Sequence, residues 1–295
     1  MEDIIKLIKL DEKTDLKDYG VLFQNYLEKR ARDISTNKEC NVYFLKSNVE
    51  TTQWGWRRVF NCFFAKNGSS ALRRVHRGGG NSDSEIFVGL DISGDYNDKL
   101  DKYETFLTPS QKNRKIIEFL YEVEHEITHE VQRQQVKSGI VNSDNLNIVK
   151  DYMFIDFWDR VAPLYDLAYV VRDNRRINPE VMYKNAHNEL FIEIDACNSA
   201  YEHTEKLLLD KDCSEFIPIL KDIHNSRTNV GKRDSYNAVF VDPVDNSVLY
   251  PFTGSIDDLV DYTFEFYKRL NKIAPNNINK DYLPYVEDNP NIDKK

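Results

Sequence analysis

The segment from Ser110 to about Lys137 constrains the fold most, because its apolar residues keep the period of one long helix. At ~100° per residue, Ile116, Leu120, Val123, Ile127 and Val131 form a single stripe, the face such a helix buries. His125 and His129 fall on roughly the opposite side. Being four residues apart, they project from one side of the helix, one turn above the other, so both imidazoles can reach one ion. Glu126 lies beside them, where it can take a proton from water activated by that ion. A histidine pair can also be a hydrogen-bonded core pair or a solvated surface pair. A core pair belongs in the stripe, and this one does not; the surface pair is the competing reading.

A catalytic zinc site has three protein ligands and keeps an open position. The best source of a third is a second predicted helix, Asn188 to about Leu209, with an apolar stripe of Leu190, Ile194, Cys197, Tyr201 and Leu208. Glu193 borders that stripe and shares its side with Ala196, Ala200 and Thr204. Small residues there would let the helix approach another closely, as a shared metal requires. Glu189, one turn earlier, is the runner-up, and Asp195 points roughly the other way. An oxyanion-stabilising group is also needed unless the metal itself fills that role. His203, Tyr201, Tyr183 and His187 are all candidates, and the sequence does not choose among them.

The run His125-Glu126-x-x-His129-x-x-Gln132, with Glu193-Ile194-Asp195-Ala196 further on, resembles the zincin metallopeptidases whose third ligand is glutamate. It is most similar to small bacterial and phage-type members with an H-E-x-x-H-x-x-Q helix and an E-x-D-A helix. The resemblance covers about residues 85–209. It implies a zinc ion on His125, His129 and Glu193, Glu126 as general base, and Asp195 as a helix-packing or supporting residue. It also implies that Glu85 to Ile92 is an edge strand along which a peptide substrate lies. Two departures stand out: Glu130 adds a negative charge after the second histidine, and Phe191-Ile192 stand where relatives often carry proline.

Elsewhere the patterns are weaker. Helical spacing marks residues 15–34, and Asn41 to Leu45 reads as a strand. Residues 51–82 contain no acid but hold Arg57, Arg58, Lys66, Arg73, Arg74 and Arg77 beside Trp54, Trp56 and Phe60. That stretch suits nucleic acid or an acidic partner, although a solvated face pairing with acids elsewhere is the better reading. Gly78 to Ser82 reads as a loop and Ser93 to Lys102 as a polar connection. Asp91, Ser93, Asp95 and Asn97 alternate oxygen ligands but lack the glycine and glutamate of a calcium loop. Leu146 to Val171 reads as an apolar helix kinked at Pro163, with a turn before Pro179. Cys213 to Asn225 reads as a further helix, and Tyr236 to Phe252 as a hairpin. Ser255 caps a last helix from Ile256 to about Ile273, with Asp257 and Asp258 in its first turn.

Composition bounds the class. Hydrophobic residues make up 41% and charged residues 30% of 295, enough apolar surface for a sizeable core. A net charge of -9 argues against broad polyanion binding. Cys40, Cys62, Cys197 and Cys213 form no C-x-x-C pair, which fits a reducing compartment, and Cys197 is expected to be an inert packed thiol. The first residues carry charges throughout, so no secretory signal is expected, and no apolar run approaches the ~20 residues a membrane span needs. The expectation is therefore a cytoplasmic α+β protein, mainly helical with a short sheet, forming one zincin-like domain over residues 1–275 and a polar tail over 276–295. Its expected activity is zinc-dependent peptide hydrolysis. The rivals are a non-catalytic zinc-containing binding protein and a nucleic-acid-associated protein using Arg57 to Arg77.

Overall fold

The computed structural model describes residues 41–45, 70–75, 84–89, 94–97, 102–105, 109–137, 141–229, 231 and 233–273. The expected helix over 15–34, the loop at 78–82, the tail at 276–295, Asp91, Ser93 and most of the basic stretch lie outside them. In chain order come strands β1 (Asn41–Leu45), β2 (Ser70–Val75), β3 (Ser84–Gly89), β4 (Gly94–Asn97) and β5 (Lys102–Thr105), then helices α1 (Pro109–Lys137), α2 (Leu146–Asp156) and α3 (Ala162–Tyr165). Strands β6 (Ala168–Arg172) and β7 (Arg175–Ile177), helices α4 (Glu180–Ala186), α5 (Phe191–Leu209) and α6 (Ile217–Thr228), strands β8 (Tyr236–Val241) and β9 (Leu249–Gly254), and helix α7 (Ile256–Ile273) follow. The fold is α+β and mostly helical. Among the described residues, no helix is long and apolar enough to cross a membrane.

The chain divides into two compact units, Met1–Val131 with Ala196–Arg227, and Gln132–Asp195 with Thr228–Lys295. In the first, β3 lies between β1, which it pairs in parallel, and β2, which it pairs antiparallel, while β4 and β5 form an antiparallel hairpin. The expected edge strand is therefore central: both of its hydrogen-bonding edges are occupied by neighbouring strands. The expected polar connection from Ser93 to Lys102 contributes to that hairpin instead. On α1 the stripe residues Ile116, Leu120, Val123 and Ile127 are all buried.

In the second unit an antiparallel sheet has the order β7-β6-β8-β9. Asp173 and Asn174 both have positive φ, 51° and 56°, which suits the two-residue turn joining β6 to β7. Strand alternation sends Ala168, Val170, Tyr236, Ala238 and Phe240 into the core. Against them pack α2, α7 and the turn after α2. That turn, Phe157–Val161, is π-helical, with the Ala162 N–H reaching the Phe157 carbonyl. Phe157 and Trp158 are fully buried there, with ring centroids 5.8 Å and 5.4 Å from Phe240. Each large side chain buried so contributes roughly 1.5–3 kcal/mol. The polar groups carried inside are answered: Trp158 Nε1 donates to Thr263 Oγ1 at 3.2 Å, and the Tyr267 hydroxyl to Asp156 Oδ2 at 2.6 Å.

Several expected boundaries move. The helix expected from Leu146 to Val171 ends at Tyr165, where Asp166 takes a left-handed φ of 56°, and the chain continues as β6. A run buried on both sides has no polar alternation to separate strand from helix. Pro163 falls in the first turn of α3, where its missing N–H costs nothing. Residues 180–186 form a helix the sequence reading did not contain, and α6 is preceded by a 3₁₀ turn, Ser214–Phe216.

Candidate metal centre

Both histidines sit on α1, as their spacing requires. His129 is 9% exposed and His125 partly exposed, so burial continues round the helix well beyond the predicted stripe. Their rings meet edge to face with centroids 4.6 Å apart, and the two Nε2 atoms are 3.0 Å apart. Two imidazole nitrogens on one tetrahedral ion, with bonds of ~2.0–2.1 Å, stand ~3.3 Å apart. The pair is thus already at the separation a shared ion demands, within a few tenths of an ångström. One ligand atom from each of His125, His129 and Glu193 falls within 4.8 Å of the others. A His-His-Glu group of this kind could hold a metal ion. Glu126, partly exposed, lies on the same helix directly after His125.

On α5 the fully buried side is Ala196, Ala200, Thr204 and Leu208, each at 0% exposure, with Glu193 at 8% on the same side. Ile194 and Tyr201, expected in the apolar stripe, are only partly buried. Small side chains let a helix sink closely against its neighbours, which buries the carboxylate they flank. Helix α5 begins at Phe191, later than expected, because His187–Glu189 forms a 3₁₀ turn and Leu190 is extended, with φ −68° and ψ 144°. Glu193 therefore stands in the first turn of α5.

The other candidates have different partners. Glu189 accepts from the Tyr236 hydroxyl at 2.7 Å and the Arg233 N–H at 3.2 Å, which commits it to the start of β8. Asp195 Oδ2 accepts from Gln132 Nε2 at 2.7 Å, and the same amide donates to the Ile192 carbonyl at 3.1 Å. Cys197 is buried, and its sulfur lies 3.7 Å from His125 Nδ1, on the ring nitrogen away from His129. It is placed to steady the imidazole rather than to share the ion. Among the four oxyanion candidates, His203 Nδ1 lies 3.5 Å from Glu124, and Tyr201 donates to Glu205 at 2.8 Å. His187 Nε2 lies 3.4 Å from Glu193 Oε1, with the Tyr183 ring 5.2 Å from its own.

The acids flanking the histidines are not solvated. Glu122, Glu124 and Glu130 are all buried, and Glu122 pairs with Arg227. The charge that Glu130 adds is thus inside the protein, not at a substrate-facing surface. The Tyr121 hydroxyl donates to the Cys197 carbonyl at 3.0 Å and lies 3.2 Å from His224 Nδ1. Burial is the main cause that raises the Tyr121 phenol and lowers the His224 imidazole from their ordinary values. Sequence reasoning passed over Asp151 of α2. It is 3% exposed and accepts the Ile192 N–H at 3.0 Å. Burial is the first cause that pushes its carboxyl up to about 7, against hydrogen bonds from the Ile192 and Phe191 backbone that lower it.

No family model matches the chain, and no curated protein or solved structure matches it either.

Proposed function

We propose that the protein is a zinc-dependent hydrolase, most simply a metallopeptidase, with His125, His129 and Glu193 as ligands and Glu126 as general base. One observation carries this reading: two histidines four apart on a helix and a glutamate far along the chain offer ligand atoms within 4.8 Å of one another. Imidazole and carboxylate suit zinc, and three such ligands are the usual protein contribution to a catalytic zinc site. When bound, zinc supplies a Lewis acid that polarises a carbonyl and makes water more acidic. Glu126 accepts the proton of the attacking water and passes it to the leaving amine. His187, next to Glu193, is the best placed of the oxyanion candidates. Peptides are the proposed substrate because that chemistry is usual for the motif, an argument from analogy.

The test has two parts. Metal analysis of the purified protein should find about one zinc per chain, lost in His125→Ala and His129→Ala. Glu126→Gln should keep zinc and fold while losing hydrolysis by at least ~100-fold, the usual scale for a general base. New peptide ends in a lysate exposed to wild type and variant supply the activity readout. Equal cleavage by both refutes Glu126 as base. Zinc on both with cleavage by neither favours a non-catalytic zinc-binding protein.

A further inference from the structure

The first turn of α5 has a capping problem. The residue at its N-cap position is Leu190, 1% exposed, whose side chain has no oxygen to accept the N–H groups that every helix start leaves over. Those donors are inside the protein, where an unmet N–H is costly. The acceptor comes instead from 40 residues upstream in the sequence: Asp151 on α2 takes the Ile192 N–H at 3.0 Å and also bonds the Phe191 N–H. Its carboxylate is buried among apolar neighbours such as Val149, Met153 and Phe154. Both recorded hydrogen bonds go to this one helix terminus, which also favours negative charge through its aligned peptide dipoles.

The residue after these two N–H groups is Glu193. Its own N–H bonds back to the Leu190 carbonyl at 3.2 Å, so its backbone belongs to the turn that Asp151 closes. From the other side Gln132 holds the Ile192 carbonyl and Asp195. We infer that Asp151 is a positioning residue for the metal centre: by capping α5 from another helix, it fixes the turn from which Glu193 reaches the ion. The inference rests on the metal reading above. It assigns to a buried carboxylate that touches neither ion nor substrate a direct effect on metal affinity and geometry.

The experiment compares wild type, Asp151→Ala and Asp151→Asn. Zinc affinity is read by competition with a chelator, and ligand geometry by the visible absorption of the Co(II)-substituted proteins. Asp151→Ala should bind zinc ~10–100-fold more weakly, the scale of lost outer-shell support, and should alter the Co(II) spectrum. Asp151→Asn keeps a carbonyl oxygen as acceptor and should recover most of the loss. Because removing a buried group can unfold a domain, amide exchange of the wild type is followed in parallel. Exchange at Phe191 and Ile192 should slow when zinc is added. A folded Asp151→Ala with wild-type affinity and spectrum, or exchange at those amides indifferent to zinc, overturns the role. A wild type that binds no metal overturns the metal reading itself, and this inference with it; that result is visible before any variant is made.

Discussion

Gln132 and Asp195 are joined by a 2.7 Å hydrogen bond from Nε2 to Oδ2, and the second amide proton is taken by the Ile192 carbonyl at 3.1 Å. Both donors of the glutamine are thereby used, on the turn that carries Glu193. The bond explains why two acids two residues apart have different fates. Asp195→Ala should keep the metal and lower stability by about 1 kcal/mol, the ordinary worth of one hydrogen bond. Glu193→Ala should lose the metal. Metal content after dialysis checks both, and the opposite pattern would move the third ligand to Asp195.

Tyr121→Phe removes one oxygen that serves two neighbours. Its hydroxyl proton goes to the Cys197 carbonyl, leaving the oxygen to receive the His224 Nδ1–H. The variant leaves both partners inside without it, so the cost should be about 1–3 kcal/mol. Urea denaturation measures this. A change within a few tenths of a kcal/mol would mean that water replaces the hydroxyl.

Asp151 gives a stability profile of unusual sign. Its carboxyl is raised from 3.8 to about 7, mainly by burial, with Asp257 and Glu193 adding repulsion. Between those values the native state holds a proton that the unfolded chain has released, so this group's contribution is fully present below pH ~4 and declines as pH rises to about 7. The slope approaches about 1.4 kcal/mol per pH unit at most. Metal-free wild type should therefore lose stability relative to Asp151→Asn as pH rises through that window. Parallel denaturation curves at each pH check it; a constant difference between the two proteins would show that the carboxyl does not titrate there.

Ser255→Ala tests the last helix. Ser255 Oγ accepts the Asp258 N–H at 3.2 Å, and Asp258 Oδ2 receives the Ser255 N–H at 3.3 Å, a reciprocal cap. The variant should cost about 1 kcal/mol, seen as a lower denaturation midpoint. No change would mean that the acids of the first turn suffice alone.

The parts legible in the sequence are those where one local signal decides. The helix at Ile256–Ile273 is announced by its cap and its acids, and α1 by a stripe whose period leaves the histidines on a definite side. The hairpin of β8 and β9 follows from alternation around a turn. What was not legible depends on distant partners. Nothing near Asp151 says that its carboxylate will close a helix 40 residues away, because the need for it arises from Leu190. Neither does the local pattern say that β3 will be flanked on both sides, since pairing is settled by strands far off in the chain. Glu193 was readable only through its small neighbours, whose burial exceeds that of the larger residues expected to form the stripe.

The π-helical turn at Phe157–Val161 gives this stretch a dependence on length as well as on composition. A turn closed by bonds five residues apart contains one residue more than an α-helical turn over the same span. Removing that residue would let the helix close normally but rotate everything after it by ~100°. Strand β6 follows within a few residues, and in a strand an offset of one exchanges the inner face for the outer. Ala168 and Val170 would then trade places with Tyr169 and Val171, and the sheet would offer the wrong side to Phe240's neighbours. This region should therefore accept many changes of side chain while tolerating no change in residue count between Leu146 and Arg172.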